Sequence, residues 1–170
     1  LNGKLLAPIL GEPQVEAIQN SRLKLSGEPG GFAVRYFDHH FPVSLQSIAD
    51  MCRKDRNEQL IFLFSAIEDV QDYEQARTAK SQILEGIQRD GNMRARVDSL
   101  FEKIHADHTL FETLLAKQYY HLAWWKTAGE KINYRRFFYI NDLISLNIER
   151  PEVFDAVHAT VSKWVEKGTV

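Results

Sequence analysis

The sequence of 170 residues predicts a mainly α-helical fold with one small β-hairpin. Alternation of apolar and polar residues, which is typical of a half-buried strand, is confined to residues 1–43. Apolar residues at helical spacing occupy 44–118, and a further amphipathic helix is predicted within 151–170. Between them, 119–150 is aromatic and irregular. We expect these four parts to form one compact unit, since the chain is long enough to bury a core.

The hairpin is predicted from two short alternating runs. LKL at 23–25 and FAVRY at 32–36 flank the turn-forming stretch SGEPGG. Pro8 restricts the earlier segment KLLAPIL to an edge or entry strand. Asp38, His39 and His40 are interpreted as a polar turn before Pro42.

The helical part is predicted from the spacing of its apolar residues. One stripe would run along a single helix, and two more would follow on either side of the D-G-N turn at 90–92. Thr109 and Glu112 resemble a capping box that opens a last helix. The stripes are Leu60, Leu63, Phe64, Ile67 and Val70; Ala76, Ala79, Ile83 and Ile87; Val97, Leu100, Phe101 and Ile104; and, after the box, Phe111, Leu114 and Leu115.

The final helix has clear start and stop signals. Pro151 suits its first turn, Glu152 complements its dipole, and Gly168 follows its end. We expect one face of it to be buried, formed by Val153, Ala156, Val157, Thr160, Val161 and Trp164.

Composition excludes several classes of function. A formal net charge of −2 without a basic run argues against a nucleic-acid partner. The longest apolar run, LIFLF at 60–64, is too short to span a membrane. A single cysteine, Cys52, can form no internal disulfide and favours a cytoplasmic location.

Candidate metal or nucleophile sites are weak. His105, His108 and Glu112 could share a helical face, but Asp107 and Thr109 predict a break that would disperse them. Cys52 is interpreted as a half-buried helix residue, since no histidine partner can be placed near it. We therefore predict no metal site within this chain.

Residues 118–142, here called the aromatic segment, are the strongest candidate for function. They contain nine aromatic rings, counting His121, and include KINYRRFFYIND at 131–142. Aromatic faces bury the apolar face of a sugar, while arginine, asparagine and aspartate bind its hydroxyl groups. The same mixture also suits a structural seam between parts of a domain, and the residues alone leave both interpretations open.

The chain resembles a known family at this segment. The stretch LLAKQYYHLAWWKTAGEKINYRRFFYINDLISLNIERPEVFDAVHATVSKWVEKG is similar to the part of maltooligosyl trehalose synthases that leads into their fourth barrel strand. NYRRFF followed by INDL is its most specific element. KLLAPILG, RLKL and VRYFDHHFPVS resemble the segment after the third barrel strand. His121 and Lys126 depart from the pattern, since relatives more often have arginine there.

The resemblance implies a helical insertion of a (β/α)₈ barrel enzyme of the α-amylase superfamily, glycoside hydrolase family 13. The insertion would comprise a hairpin part at 1–43, a helical bundle at 44–118 and a substrate-facing segment at 119–150, and 151–170 would be the barrel helix before strand four. The family converts the reducing-end α-1,4 bond of maltooligosaccharides into an α,α-1,1 bond. The catalytic carboxylates would lie outside this chain, which would have no catalytic residue and be inactive alone. The resemblance implies no cofactor.

The resemblance also implies which residues face substrate. These are Tyr120, Trp125, Tyr134, Arg135, Arg136, Phe137, Phe138 and Asn141. The expected partners are a maltooligosaccharide and the remainder of the parent barrel, without nucleic acid or membrane. The alternative is a non-enzymatic helical module for protein interaction. We favour the enzyme, because the chain stops just after a barrel-type helix and we expect it to be a piece of a longer protein.

Overall fold

The fold is described from a computed structural model. The structure describes residues 4–28, 30–68, 70–134, 136–137, 140–144 and 146–168, with the backbone alone at 136–137 and 141–144. The strands are β1 (Leu5–Leu10), β2 (Leu23–Glu28), β3 (Gly31–Tyr36), β4 (His39–Pro42), β5 (Tyr120–Trp124), β6 (Arg136–Phe137) and β7 (Ile140–Ile144). The helices are α1 (Gln14–Gln19), α2 (Leu45–Asp55), α3 (Glu58–Phe64), α4 (Tyr73–Arg89), α5 (Gly91–Ala106), α6 (His108–Ala116), α7 (Ala128–Lys131) and α8 (Pro151–Glu166). The predicted fold class, mainly helical with a small hairpin, is confirmed.

The predicted hairpin is β2 and β3, paired antiparallel with Leu25 opposite Val34. β4 adds a third strand, so the interpretation of His39 and His40 as part of a polar turn is wrong. Only Phe37 and Asp38 form the turn, and Phe37 adopts a left-handed backbone with a φ of 51°. β4 forms because its backbone pairs with the free edge of β3, which outweighs its polar composition.

β1 pairs parallel with β5, across more than a hundred residues of intervening chain. The register shifts between Ala7 and Leu10, around the proline that cannot donate a ladder hydrogen bond. The predicted edge-strand character of KLLAPIL is therefore confirmed, since β5 is the one strand that pairs with β1 among the described residues.

The helices α2 to α6 form a bundle against the hairpin sheet. The Phe32 ring of β3 stacks on Phe64 of α3 at 6.1 Å and meets Phe101 of α5 edge-on at 5.4 Å. The stripe predicted on α5 is confirmed as buried, as are the apolar residues predicted on α6. The hairpin and the bundle thus share one core.

Three boundaries differ from the prediction. Of the D-G-N turn at 90–92, only Asp90 lies outside a helix, because α5 already begins at Gly91. The stripe from Leu60 to Val70 does not lie on one helix, because α3 ends at Phe64 and a 3₁₀ turn follows at Ser65–Ile67. Asp107 caps α6 instead of Thr109, by accepting a hydrogen bond from the Leu110 amide at 3.0 Å. Asp107 immediately precedes α6, so its carboxylate can accept this hydrogen bond while Thr109 remains within the helix.

α8 begins at Pro151 as predicted, but its apolar face is exposed. None of its residues is buried against the rest of the described chain. Phe154, Val157, Val161 and Trp164 each remain about half exposed. The expected burial of this face within the chain is therefore wrong, because no described element covers it. Separately, none of the described helices is long and apolar enough to cross a membrane.

Candidate functional site

The aromatic segment starts as β5, the partner of β1. Leu10 lies opposite Trp124 where both parallel strands end, so the next residues emerge at the carboxyl end of the pair. Trp125–Thr127 form a 3₁₀ turn there, and the Thr127 hydroxyl donates to the Trp124 carbonyl at 2.8 Å. Parallel sheets commonly bind ligands at this end of their strands.

This carboxyl end combines exposed aromatic surface with a positive charge. Trp125 is 54% exposed, and the Lys126 ammonium lies 4.4 Å from the Trp124 ring centroid and 5.8 Å from that of Trp125. Cation–π attraction holds the lysine over both rings. The arrangement leaves a face of Trp125 available for stacking next to a hydrogen-bond donor, the Lys126 ammonium.

Tyr120 lies at the opposite end of β5. Its ring packs 5.8 Å from that of Phe41, and its hydroxyl is buried without a hydrogen-bond partner in the described structure. Burial raises the pKa of the Tyr120 phenol, so this group stays protonated and cannot act as a base. The Trp124 indole nitrogen is likewise buried and unpartnered among the described residues.

Asn133 is a positioning residue that sequence reasoning missed. Its side-chain oxygen accepts from the Leu6 amide at 2.9 Å, and its nitrogen donates to the Lys4 carbonyl at 2.6 Å. The Asn133 side chain therefore provides hydrogen-bond partners for two backbone groups at the free edge of β1, as a neighbouring strand would. No local pattern could have revealed this role, because the partners lie 127 and 129 residues away.

The structure separates the predicted substrate-facing residues. Tyr120 and half-buried Tyr134 lie near the amino end of β1, whereas Trp125 lies past its carboxyl end, about 16 Å farther along the strand. Of the other predicted residues, Arg136 and Phe137 form β6 and Asn141 lies in β7, where the backbone alone is described. Arg135 and Phe138 lie outside the described residues. Their contact with substrate stays a prediction.

The candidate metal and nucleophile residues have other roles. His105 lies at the end of α5 and accepts a hydrogen bond at Nε2 from the Leu25 amide at 2.8 Å, while His108 opens the next helix. Within the described ranges, no group of three or more metal-ligating side chains comes together. Cys52 is fully buried, not half-buried as predicted, because it lies on the core face of α2. Burial raises its pKa to about 12, which opposes thiolate chemistry.

Comparison with known proteins identifies an enzyme that the chain resembles. No protein-family model matches the sequence. Two curated proteins of Mycobacterium tuberculosis, from strains CDC 1551 and H37Rv, are each 43% identical to the chain over 54 residues. Both carry the provisional name maltooligosyl trehalose synthase. The chain resembles a segment of that enzyme. The resemblance predicted from the sequence is thereby confirmed.

Each match covers a much larger share of this chain than of the protein that it matches. The stretch matched in the Mycobacterium tuberculosis proteins is 32% of this chain and 7% of each relative. A solved structure described as DSM5389 glycosyltrehalose synthase has a TM-score of 0.52 and 21% identity, covering 96% of this chain and 16% of that protein. Maltooligosyltrehalose synthase of Arthrobacter ramosus has a TM-score of 0.48 and 20% identity, covering 99% and 14%. At this identity the DSM5389 likeness concerns the fold alone.

Proposed function

We propose that this chain is a segment of a maltooligosyl trehalose synthase. The parent would convert the reducing-end α-1,4 bond of a maltooligosaccharide into an α,α-1,1 bond by intramolecular transglucosylation. In systematic terms it would be a (1→4)-α-D-glucan 1-α-D-glucosylmutase, an isomerase of the α-amylase superfamily. The sequence identity to proteins of that name, together with the sugar-binding chemistry of the aromatic segment, supports the proposal.

The segment would supply part of the substrate cleft and its scaffold. The observation that carries this role is the position of Trp125 and Lys126 at the carboxyl end of the parallel pair β1 and β5. There an exposed indole can stack on a glucose unit while the ammonium donates to its hydroxyl groups. Arg135, Arg136, Phe137, Phe138 and Asn141 would extend this wall. Tyr120 and Tyr134, at the other end of β1, would contact a different part of the oligosaccharide.

The chemistry itself would belong to the rest of the parent. Retaining glycosidases of this superfamily use a carboxylate nucleophile and a carboxylic acid that protonates the leaving group. We place both outside this chain, which would then be inactive alone and require no cofactor. The wall would help exclude water, so that the released sugar reacts with the glycosyl intermediate before water can hydrolyse it.

The exposed face of α8 fits a second partner, the remainder of the parent barrel. Phe154, Val157, Val161 and Trp164 form an apolar surface on one side of the helix that no described element covers. The same surface would also serve a non-enzymatic helical interaction module, which is the alternative function. We place the parent in the cytoplasm, as the single cysteine suggests.

The test uses the full-length parent with maltopentaose. We expect loss of reducing ends with little release of glucose, and α,α-1,1 anomeric signals by NMR. Trp125→Ala should raise KM about two- to tenfold through the lost stacking surface. Phe62→Ala, which truncates an almost fully exposed ring on α3, is the matched control and should change nothing. If the parent is inactive, the proposed reaction is wrong and the protein-interaction module becomes the favoured function. If KM is unchanged in Trp125→Ala, Trp125 does not contact the substrate.

A further inference from the structure

A groove lies on the hairpin sheet, away from the aromatic segment. It encloses about 520 Å³ and is lined by Arg22, Lys24, Ser26, Arg35 and Phe37, among others. No residue of the segment 118–142 lines it, and no carboxylate lines it within the described chain. Its volume is within the range of small-molecule sites.

Two of the three cations named in the groove have no ion-pair partner among the described residues. Lys24 on β2 lies directly opposite Arg35 on β3, and both are exposed between buried neighbours, so their side chains share the outer face. Like charges in directly opposed positions destabilise a sheet. Among the described residues neither has an ion-pair partner, whereas Arg22 pairs with Glu12 at 3.0 Å. In a chain of net charge −2, this leaves two adjacent uncompensated cations.

Phe37 places an aromatic ring beside these cations. It is 63% exposed and keeps a φ of 51°, a conformation that costs free energy for a bulky side chain. The edge of the ring meets Tyr36 at 4.8 Å, and the Arg22 guanidinium lies 5.9 Å from its centroid. The ring is therefore held from two sides and remains half open to the groove.

We propose that this groove binds a phosphate monoester carried on a ring, such as a sugar phosphate or a nucleotide. Lys24 and Arg35 supply two positive charges, which match the charge of about −1.5 to −2 on a phosphate monoester at neutral pH. Phe37 stacks on the ring of the ligand. The site shares no residue with the substrate wall, so it would bind an effector or second ligand whatever the parent enzyme converts.

The experiment is calorimetric titration of the chain at constant ionic strength. The probes are glucose 6-phosphate, adenosine monophosphate, inorganic phosphate and neutral glucose. We expect saturable binding of one or both ring-bearing esters, weaker binding of inorganic phosphate and none of glucose. The stronger of the two esters identifies the ring.

Three variants assign the contacts. The double variant Lys24→Gln, Arg35→Gln should weaken ester binding at least about tenfold. Because it relieves repulsion, its melting temperature without ligand should equal or exceed that of the wild type, which separates lost binding from lost folding. Phe37→Asn retains a residue that tolerates a left-handed turn, and should weaken ester binding about two- to tenfold while sparing inorganic phosphate. Arg77→Gln removes an exposed charge on α4 and should have no effect.

Three results would overturn the proposal. One is the absence of saturable binding of either ester. Another is an equal loss of binding in Arg77→Gln and in the double variant, which would indicate general charge attraction. The third is equal weakening of the esters and inorganic phosphate by Phe37→Asn, since the ring would then contribute no stacking.

Discussion

Gln118 anchors the start of α2 through the backbone of Ser44. Its side-chain oxygen accepts from the Ser44 amide at 2.9 Å, across 74 residues of chain. The side-chain nitrogen donates to the Ser47 hydroxyl at 3.0 Å and to the Leu114 carbonyl at 2.6 Å. Gln118 is only 1% exposed, so this buried amide joins the end of the bundle to its beginning just before β5.

Gln118→Leu should lower the free energy of unfolding by about 2–4 kcal/mol, because it leaves the buried Ser44 amide without its acceptor and removes the donors to the Ser47 hydroxyl and the Leu114 carbonyl. Denaturant unfolding measures the change. Gln82→Leu makes the same substitution on the exposed side of α4 and should cost little. Equal stabilities for the two variants would show that the buried amide contributes nothing.

His105 should make the stability of the chain depend on pH. Only neutral imidazole can accept the Leu25 amide at Nε2, and burial lowers the pKa of His105, helped by Lys24 and opposed by Glu102. The unfolded chain therefore binds the proton more readily. This contribution to stability is complete above the ordinary histidine pKa of about 6.5 and is lost as pH falls below it.

The measurement is the free energy of unfolding of wild type and His105→Gln between neutral and mildly acidic pH. A glutamine oxygen can accept the same amide without titrating, so the variant should lose less stability on acidification. His39→Gln, at an exposed position of β4, is the control and should behave as wild type. Identical pH dependence in His105→Gln and wild type would contradict the assignment.

Asn133→Ala should loosen the free edge of β1. The variant loses both hydrogen bonds to Lys4 and Leu6, and we expect a destabilisation of about 1–3 kcal/mol. Hydrogen exchange at the Leu6 amide is the direct measurement, and this amide should exchange faster than in the wild type. Asn147→Ala, at an exposed position before α8, should leave it unchanged. Unaltered protection of Leu6 in Asn133→Ala would exclude the bridge.

Cys52 should resist thiol reagents in the native chain. Its thiol is fully buried and its pKa is raised to about 12, so both access and thiolate formation are suppressed. Labelling with a disulfide reagent should proceed only as fast as the protein unfolds. Ser81→Cys introduces an exposed thiol on α4 that should react at once. Comparable rates for the two thiols would mean that α2 opens readily.

The chain by itself should form no trehalose linkage from maltopentaose. This follows from the proposal that the catalytic carboxylates lie elsewhere in the parent. Reducing ends should remain constant over a long incubation with the purified chain, while the full-length parent consumes them. Loss of reducing ends with the chain alone, free of host enzymes, would place the catalytic groups within it.

Periodicity alone determined the parts of this protein that depend on near neighbours. The alternation in LKL and FAVRY predicted the β2–β3 hairpin, and the stripe from Val97 to Ile104 predicted the buried face of α5. Side chains two residues apart on a strand, or three and four apart on a helix, share a face whatever surrounds them. The rings and arginines of the aromatic segment suggested sugar binding but left a structural seam equally open.

Tertiary structure decided what depends on distant partners. β4 forms on the edge of β3, Asn133 completes β1, and Gln118 holds α2, each through backbone groups that no local pattern specifies. It also decided that Trp125 lies at the opposite end of β1 from Tyr120 and Tyr134, and that none of the described elements covers the apolar face of α8. The physical reason is that a buried backbone group needs a partner, but every residue offers the same amide and carbonyl, so only the folded chain selects which ones meet.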